Sequence, residues 1–259
     1  MDTLFLKLHE IFDEIADFTL LELPKVAERQ IAHKRDAADL VSNRDYMMEA
    51  KIIESIQRVF PNHSIHSEEA GVIVGENPEH HWLVDPIDGS CNDVHGIPWS
   101  CVSVAYAQSD QVIAGVVIHP GTGERFQAIR GQGATLNGEV IRLRKELQLP
   151  GSVVMTELLN QHPWPRMFDF VESMAKLDAT VRVMGSTALA IAQVAAGRAA
   201  AAVFADAGAL DVAAGVLIAE EAGAVVLKNG KPLDSLPKGR LTVAAPNVAG
   251  IIEKSINLV

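Results

Sequence analysis

The chain has 259 residues, 48% of them hydrophobic and 21% charged, a composition that builds one large or two modest packed domains and excludes a disordered chain. Its formal charge of −11 argues against a nucleic-acid groove, because phosphate backbones are met by basic patches. Two cysteines, Cys91 and Cys101, make no disulfide framework and fit a reducing, cytoplasmic setting.

The first five residues carry an acid and no base, unlike a secretory leader. Residues 2–32 show helical periodicity: Leu4, Leu8, Ile11, Phe12, Ile15 and Phe18 share one face, and Pro24 is expected to kink or split the segment. A second helix is predicted over Asp45–Phe60, stopped by Pro61. A short strand, Ser64–Ser67, leads to Glu68-Glu69, and Gly75–His80 reads as a loop. The strand His81–Val84 feeds Asp85-Pro86-Ile87-Asp88-Gly89-Ser90. Three runs, Ser100–Ala107, Val112–His119 and Glu124–Ile129, are joined by turn residues and form an antiparallel meander.

A boundary near Lys145–Pro150 divides the chain into residues 1–147, an α+β half with the acidic signature, and residues 148–259. The second half alternates strand Val153–Thr156, helix near Trp164–Lys176, strand Thr180–Met184 and helix Thr187–Ala196 with Ser186 as its cap. Strand Ala199–Phe204, helix Val212–Ala222 and strand Ala224–Leu227 complete an α/β pattern. Gln193, Gly197 and Arg198 interrupt the apolar stretch Ala188–Phe204, so no membrane span is predicted.

The stretch from Asp85 to Ser90 carries the chemistry. Pro86 fixes one φ angle and Gly89 permits a sharp turn, so two carboxylates converge where a strand ends. An isolated Asp-x-x-Asp reads as a solvated turn. Here Glu68-Glu69 also follow a strand, and Asp211 opens a later helix. Two like charges at about 4 Å repel by roughly 4 kcal/mol at an effective dielectric near 20, so such a cluster needs cations. Oxygen-only donors select Mg²⁺, Mn²⁺ or Ca²⁺ over zinc. The nine histidines are scattered, and His80-His81 reads as a solvated pair rather than a ligand pair. Cys91 reads as a small buried residue with no histidine placed to activate it. Trp82 and Trp99 read as core.

Nearly the whole chain resembles the inositol monophosphatase family of the lithium-sensitive, fructose-1,6-bisphosphatase-like sugar phosphatases. Asp39-Leu40-Val41-Ser42-Asn43-Arg44-Asp45 looks like the family's early Asp-Leu-Val-Thr-x-x-Asp, and Ser67-Glu68-Glu69 like its Gly-Glu-Glu. Asp85 to Ser90 looks like Asp-Pro-Ile-Asp-Gly-Thr, and Gly131-Gln132-Gly133-Ala134 with Asn137-Gly138 like Gly-x-Gly-Ala…Asn-Gly. Leu210-Asp211-Val212-Ala213-Ala214-Gly215, then Glu221-Ala222-Gly223, looks like Trp-Asp-x-Ala-Ala-Gly…Glu-Ala-Gly.

The resemblance implies a layered αβαβα sandwich of mixed α and β structure. It implies two or three Mg²⁺ ions, with Mn²⁺ as a substitute. Glu68, Asp85 and the Ile87 carbonyl would bind one metal; Asp85, Asp88 and Asp211 a second; a third, weaker ion would sit near Glu68. Ser90, paired with Asp45, would orient the attacking water, with Glu69 a candidate base. Gly89, Ser90, Cys91 and Lys34 would meet the phosphate, and Asp206 is the candidate near the position where the family binds the rest of the substrate. The implied protein is a cytoplasmic homodimer that takes a small phosphate monoester and neither nucleic acid nor membrane. Inositol-1-phosphate is the first substrate expectation; fructose-1,6-bisphosphate, histidinol phosphate and a nucleotide 3′-phosphate are the alternatives. A phosphatase-like binding or regulatory protein is the alternative from another class.

Departures from the pattern fall around the substrate rather than the metals. Ser90 stands for a threonine, Leu210 for a tryptophan, and Asp93 for an aromatic, placing an acid beside the site. The family's substrate-gripping glutamate has no counterpart: Phe204 occupies its position, with Asp206 two residues on and Ala199–Ala202 upstream.

Overall fold

In a computed structural model the described residues are 3–34, 40–144, 146–159 and 161–257. Asp39 of the early motif and Lys145 of the expected boundary lie outside them. The first elements are α1 (Thr3–Leu21), β1 (Ile31–His33), β2 (Leu40–Ser42), α2 (Asn43–Val59), β3 (His63–Ser67), β4 (Gly71–Ile73) and β5 (Asn77–Asp88). Then come α3 (Ser90–Val94), β6 (Cys101–Gln108), β7 (Gln111–His119), β8 (Glu124–Ile129), β9 (Ala134–Leu136) and β10 (Glu139–Ile141). The remainder is β11 (Val153–Thr156), α4 (Met167–Lys176), β12 (Thr180–Val183), α5 (Thr187–Ala195), β13 (Ala201–Ala207), α6 (Ala209–Glu221), β14 (Val225–Lys228), β15 (Lys231–Pro232), β16 (Gly239–Ala244) and α7 (Pro246–Asn257).

Eight strands form one sheet in the order β10-β9-β8-β7-β6-β5-β3-β4, and six form another in the order β12-β11-β13-β16-β14-β15. The predicted meander is β6–β7–β8, antiparallel throughout. On the outer face of the larger sheet, Leu8, Phe12 and Ile15 of α1 and Met48 and Ile52 of α2 pack against Trp82, Val104 and Tyr106. Each large apolar side chain so buried contributes about 1.5–3 kcal/mol. Between the sheets lie α5 and α6. Both are apolar on every side because Leu83, Val117 and Phe126 face them from one sheet and Met155, Leu241 and Val243 from the other. Phe170 and Met174 of α4, with Val248 and Ile252 of α7, cover the far face. The result is the expected αβαβα order. The larger sheet draws its strands from residues 63–141 and the smaller from 153–244, and the middle helical layer is a wall of both.

Two local expectations fail in part. Pro24 splits the first segment as expected, with α1 ending at Leu21 and a 3₁₀ turn holding the proline, but the helical periodicity does not carry to residue 32, because Ile31–His33 pair with β2 as a strand. Proline lacks the N–H a continuing helix needs and restricts the residue before it. The loop expected over Gly75–His80 ends at Asn77, because residues 77–80 are drawn into β5 by pairing with β3 and β6. Their polar side chains are exposed or half-exposed, so composition hides a strand that its neighbours stabilise.

Candidate active site

The site begins at the end of β5. Asp85 pairs with Ser103 and Asp88 with Cys101, so three steps on β5 oppose two on β6. This bulge lies at Pro86-Ile87, where proline cannot donate to the ladder. Gly89 then takes φ +93°, and α3 starts. A β-carbon on Gly89 would stand 2.9 Å from the Gly185 carbonyl oxygen and 3.0 Å from that of Trp99, so glycine is required by both angle and space.

The serine hydroxyl expected to orient water is held. Ser90 Oγ lies 2.8 Å from Asp45 Oδ1 and 2.8 Å from the Ile87 carbonyl oxygen. Asp45 is itself fixed: its other oxygen accepts from Ser42 N at 2.9 Å and Ser42 Oγ at 2.7 Å, within the capping box that starts α2. Glu68 and Glu69 follow β3, and buried Glu49 of α2 holds that turn by accepting from Glu69 N at 2.9 Å and Ala70 N at 3.0 Å. Lys34 Nζ donates to Glu68 Oε1 at 2.8 Å and pairs with Glu69. Burial raises the Glu69 carboxyl above its usual range against the pull of Lys34.

The second half supplies Asp211 in the first turn of α6, with Gly208 N donating to its Oδ2 at 3.2 Å. Asp88 Oδ2 accepts from Ser186 Oγ at 2.7 Å and Ala188 N at 2.6 Å. Glu68, Asp85, Asp88, Ser90, Cys91 and Asp211 line one cleft of about 350 Å³ where the two sheets meet. Burial, then the charges of Glu68, Asp88 and Asp211, push the Asp85 carboxyl well above the carboxylate range. Burial and Asp211 bring Asp88 to about 7, and burial and Glu68 bring Asp211 to about 6.

These donors fit hard divalent cations. All are oxygens, and buried Asp85 Oδ1 has no hydrogen-bond partner. Among the described residues no three such side chains are drawn into a ready cage: Asp88 is occupied by Ser186 and Ala188, and Glu68 by Lys34.

Several residues differ from expectation. Asp93 does not add an acid to the cleft; it is buried, 3.0 Å from Arg44 Nε and 3.6 Å from Arg29 Nε. Cys91 is exposed rather than buried, and a histidine does stand near it: His95 Nδ1 is 3.8 Å from Sγ, though only 2.8 Å from the Cys91 carbonyl oxygen. The i, i+4 spacing in the short α3 brings the two together. His80 and His81 are no solvated pair. His80 stacks on His63 and meets Tyr106 Oη at 2.6 Å, while His81 is buried and stacks on His66.

Phe204 is buried in the middle layer, and Asp206 is exposed on the rim of an adjoining chamber of about 290 Å³. The two cavities share Glu157, Leu158, Thr187 and Asp211. Glu157 was missed by sequence reasoning. Its signal was available: like Asp85, it is an acid at the end of an apolar strand.

Five layers with a carboxylate-lined cleft at their junction define a protein of the αβαβα sugar-phosphatase class. The profile of the inositol monophosphatase family matches residues 10–257, and the chain belongs to that family. Among its relatives are "Nus factor SuhB" of Pasteurella multocida, 36% identical over 81% of this chain and 79% of that protein, and "Inositol monophosphatase 2" of Homo sapiens, 31% identical over 90% and 83%. The Thermotoga maritima IMPase structure is 29% identical, with a TM-score of 0.84 over 99% of this chain and 97% of that one. A structure of an IMPase/NADP phosphatase complexed with Mg²⁺ and phosphate shares the fold at 23% identity, with a TM-score of 0.86 over 99% and 97%. The chain is a phosphoric monoester hydrolase. No helix among the described residues is long and apolar enough to cross a membrane.

Proposed function

We propose that the chain is a Mg²⁺-dependent phosphatase of small polyol phosphate monoesters, inositol-1-phosphate among them. The observation that carries this is the gathering of Glu68 from the turn after β3, Asp85 and Asp88 from the end of β5, and Asp211 from the first turn of α6 into one cleft beside a fixed serine hydroxyl. These four and the Ile87 carbonyl would hold two or three ions, and Mn²⁺ would substitute. When bound, such ions lower the pKa of water and neutralise phosphate charge. Asp45 draws the Ser90 proton and leaves the Oγ lone pairs to orient a water. Gly89, Ser90 and Cys91 border the phosphate space and Lys34 supplies a cation at its edge. Glu69, half neutralised by Lys34, is the candidate base.

The second chamber takes the leaving group. Phe204, Leu158 and Leu159 line it, and Asp206 offers one carboxylate at its rim. A hydrogen bond to a charged group is worth about 1.5–3 kcal/mol, so the missing glutamate costs roughly ten- to a hundredfold in selectivity. Inositol-1-phosphate is therefore hydrolysed without strong preference over glycerol-2-phosphate. Comparing kcat/KM for these and fructose-1,6-bisphosphate, with Mg²⁺ and after chelation, tests the reading. Full activity in excess chelator sinks the metal mechanism. A thousandfold preference for inositol-1-phosphate that collapses in Asp206→Ala sinks the account of the pocket.

The reading extends to a cytoplasmic homodimer, supported by the two free thiols and the family, and sedimentation velocity measures the association. The name of the Pasteurella relative favours a second role as a binding partner. A protein complex recovered equally with the parent and with Asp88→Asn would separate that role from hydrolysis.

A further inference from the structure

We infer that Glu157 is a positioning residue for Asp88, acting through the turn from Met184 to Ser186; this deepens the phosphatase reading and rests on it. Glu157 follows β11 directly and reaches across to that turn. Its Oε2 accepts from Gly185 N at 2.7 Å and its Oε1 from Met184 N at 3.3 Å. The next residue, Ser186, donates Oγ–H to Asp88 Oδ2 at 2.7 Å, and Ala188 N donates to the same oxygen at 2.6 Å. On the other side, Asn92 Nδ2 of α3 donates to the Met184 carbonyl oxygen at 2.6 Å and to that of Trp99 at 2.8 Å. The turn is thus fastened from the smaller sheet by its N–H groups and from the larger by a carbonyl. Asp88 is the candidate ligand that hangs on it.

The carboxylate matters here, not only the length of the arm. Both Glu157 oxygens are acceptors and both are used. A glutamine keeps the shape but accepts on one side only and points an NH₂ donor at the other N–H. The turn must then move, and with it Ser186 and the oxygen of Asp88. Partners standing behind metal ligands in this way are worth about 10–100-fold in metal affinity or activity. Glu157 also lines both chambers, so its arm sets the wall between the phosphate space and the leaving-group space.

Glu157→Gln is the test, read in three ways against the parent. Steady-state kinetics should show kcat down by about tenfold or more with KM changed much less, because the effect runs through a metal ligand. Calorimetry with Mg²⁺ alone should show weakened binding. Third, Cys101 is buried, with Sγ 3.6 Å from Ser186 Oγ and 3.9 Å from Asp88 Oδ2, so a loosened turn should speed its labelling by a thiol reagent under conditions where both proteins are folded. In a Ser186→Ala background Glu157→Gln should cost little more, since both act along one route. A folded Glu157→Gln protein with parental kcat, Mg²⁺ affinity and Cys101 labelling overturns the inference, as do fully multiplicative losses in the double variant. If Glu157→Gln does not fold, Glu157→Asp, which keeps the charge and shortens the arm, is held to the same criteria. If the parent hydrolyses no monoester, the function reading fails, and Cys101 labelling alone still decides whether Glu157 holds the turn.

Discussion

Ser90 Oγ has one proton and two acceptors, Asp45 Oδ1 and the Ile87 carbonyl, each at 2.8 Å. Ser90→Ala should bind Mg²⁺ normally and lose about 10²–10⁴-fold in kcat, the range for a positioned proton-handling group. Ser90→Thr keeps the hydroxyl, restricts its rotamer, and should be mild. Parental turnover in Ser90→Ala would assign water orientation to another group. A second residue-scale outcome concerns Asp93. It is 6% exposed and faces buried Arg44, with Arg29 behind. Asp93→Ala leaves buried guanidinium charge uncompensated and should cost about 3–5 kcal/mol in urea unfolding. A loss below about 1 kcal/mol, the range of an exposed pair, would mean that water reaches the cluster.

At the scale of elements, the legible parts were those whose local and tertiary signals agree. Asp45, the predicted start of the second helix, stands in the first turn of α2 and closes its capping box, and Ser186 caps α5 as its sequence position predicts. The acidic turn was legible because Pro86 and Gly89 constrain backbone wherever they stand. Illegible were elements that exist through a partner: residues 77–80 of β5, the short β9 and β10, and β15, the return strand that pairs with the predicted β14. Asp93 was misread because its partner Arg44 is far in sequence. Cys91 was misread because a five-residue helix leaves its outer face open. Gly115 belongs here too, ordinary in sequence and decisive in packing. A β-carbon on it would stand 2.8 Å from Ala214 Cα, where α6 lies on the sheet. Gly115→Val should therefore destabilise by about 1–3 kcal/mol or more through overpacking, measured by urea denaturation. A neutral result would show that α6 can lift without disturbing the middle layer.

Across the whole molecule, the site is an electrostatic load on the fold. Burial, foremost, raises Asp85 well above its ordinary value and brings Asp88 to about 7, Asp211 to about 6 and Glu157 to about 7. A carboxylate raised in the folded state binds protons that the unfolded chain releases at the same pH. Stability in chelator must then rise as pH falls through this window, from above 7 toward the ordinary carboxylate range. His63 works the other way. Burial lowers it from 6.5 to about 4, so the unfolded chain takes a proton that the folded chain refuses, and stability is lost as pH falls below 6.5. Burial lowers His81 in the same sense, and it raises Glu69 and Asp93, so two histidines oppose six carboxylates and Tm in chelator should rise from pH 7.5 to pH 5.5. Mg²⁺ relieves the same repulsion that protons relieve, and binding to the folded state alone raises Tm by mass action. The Tm increment on adding Mg²⁺ should therefore be larger at pH 7.5 than at pH 5.5. Asp88→Asn removes one of the opposed charges, so its Tm in chelator at pH 7.5 should exceed that of the parent while activity is lost, as expected where function sets charges that folding alone would not keep. Differential scanning calorimetry of both proteins at the two pH values, with and without Mg²⁺, decides the matter. An Asp88→Asn protein less stable than the parent in chelator, or a Mg²⁺ increment independent of pH, would show that the carboxylates are not in conflict.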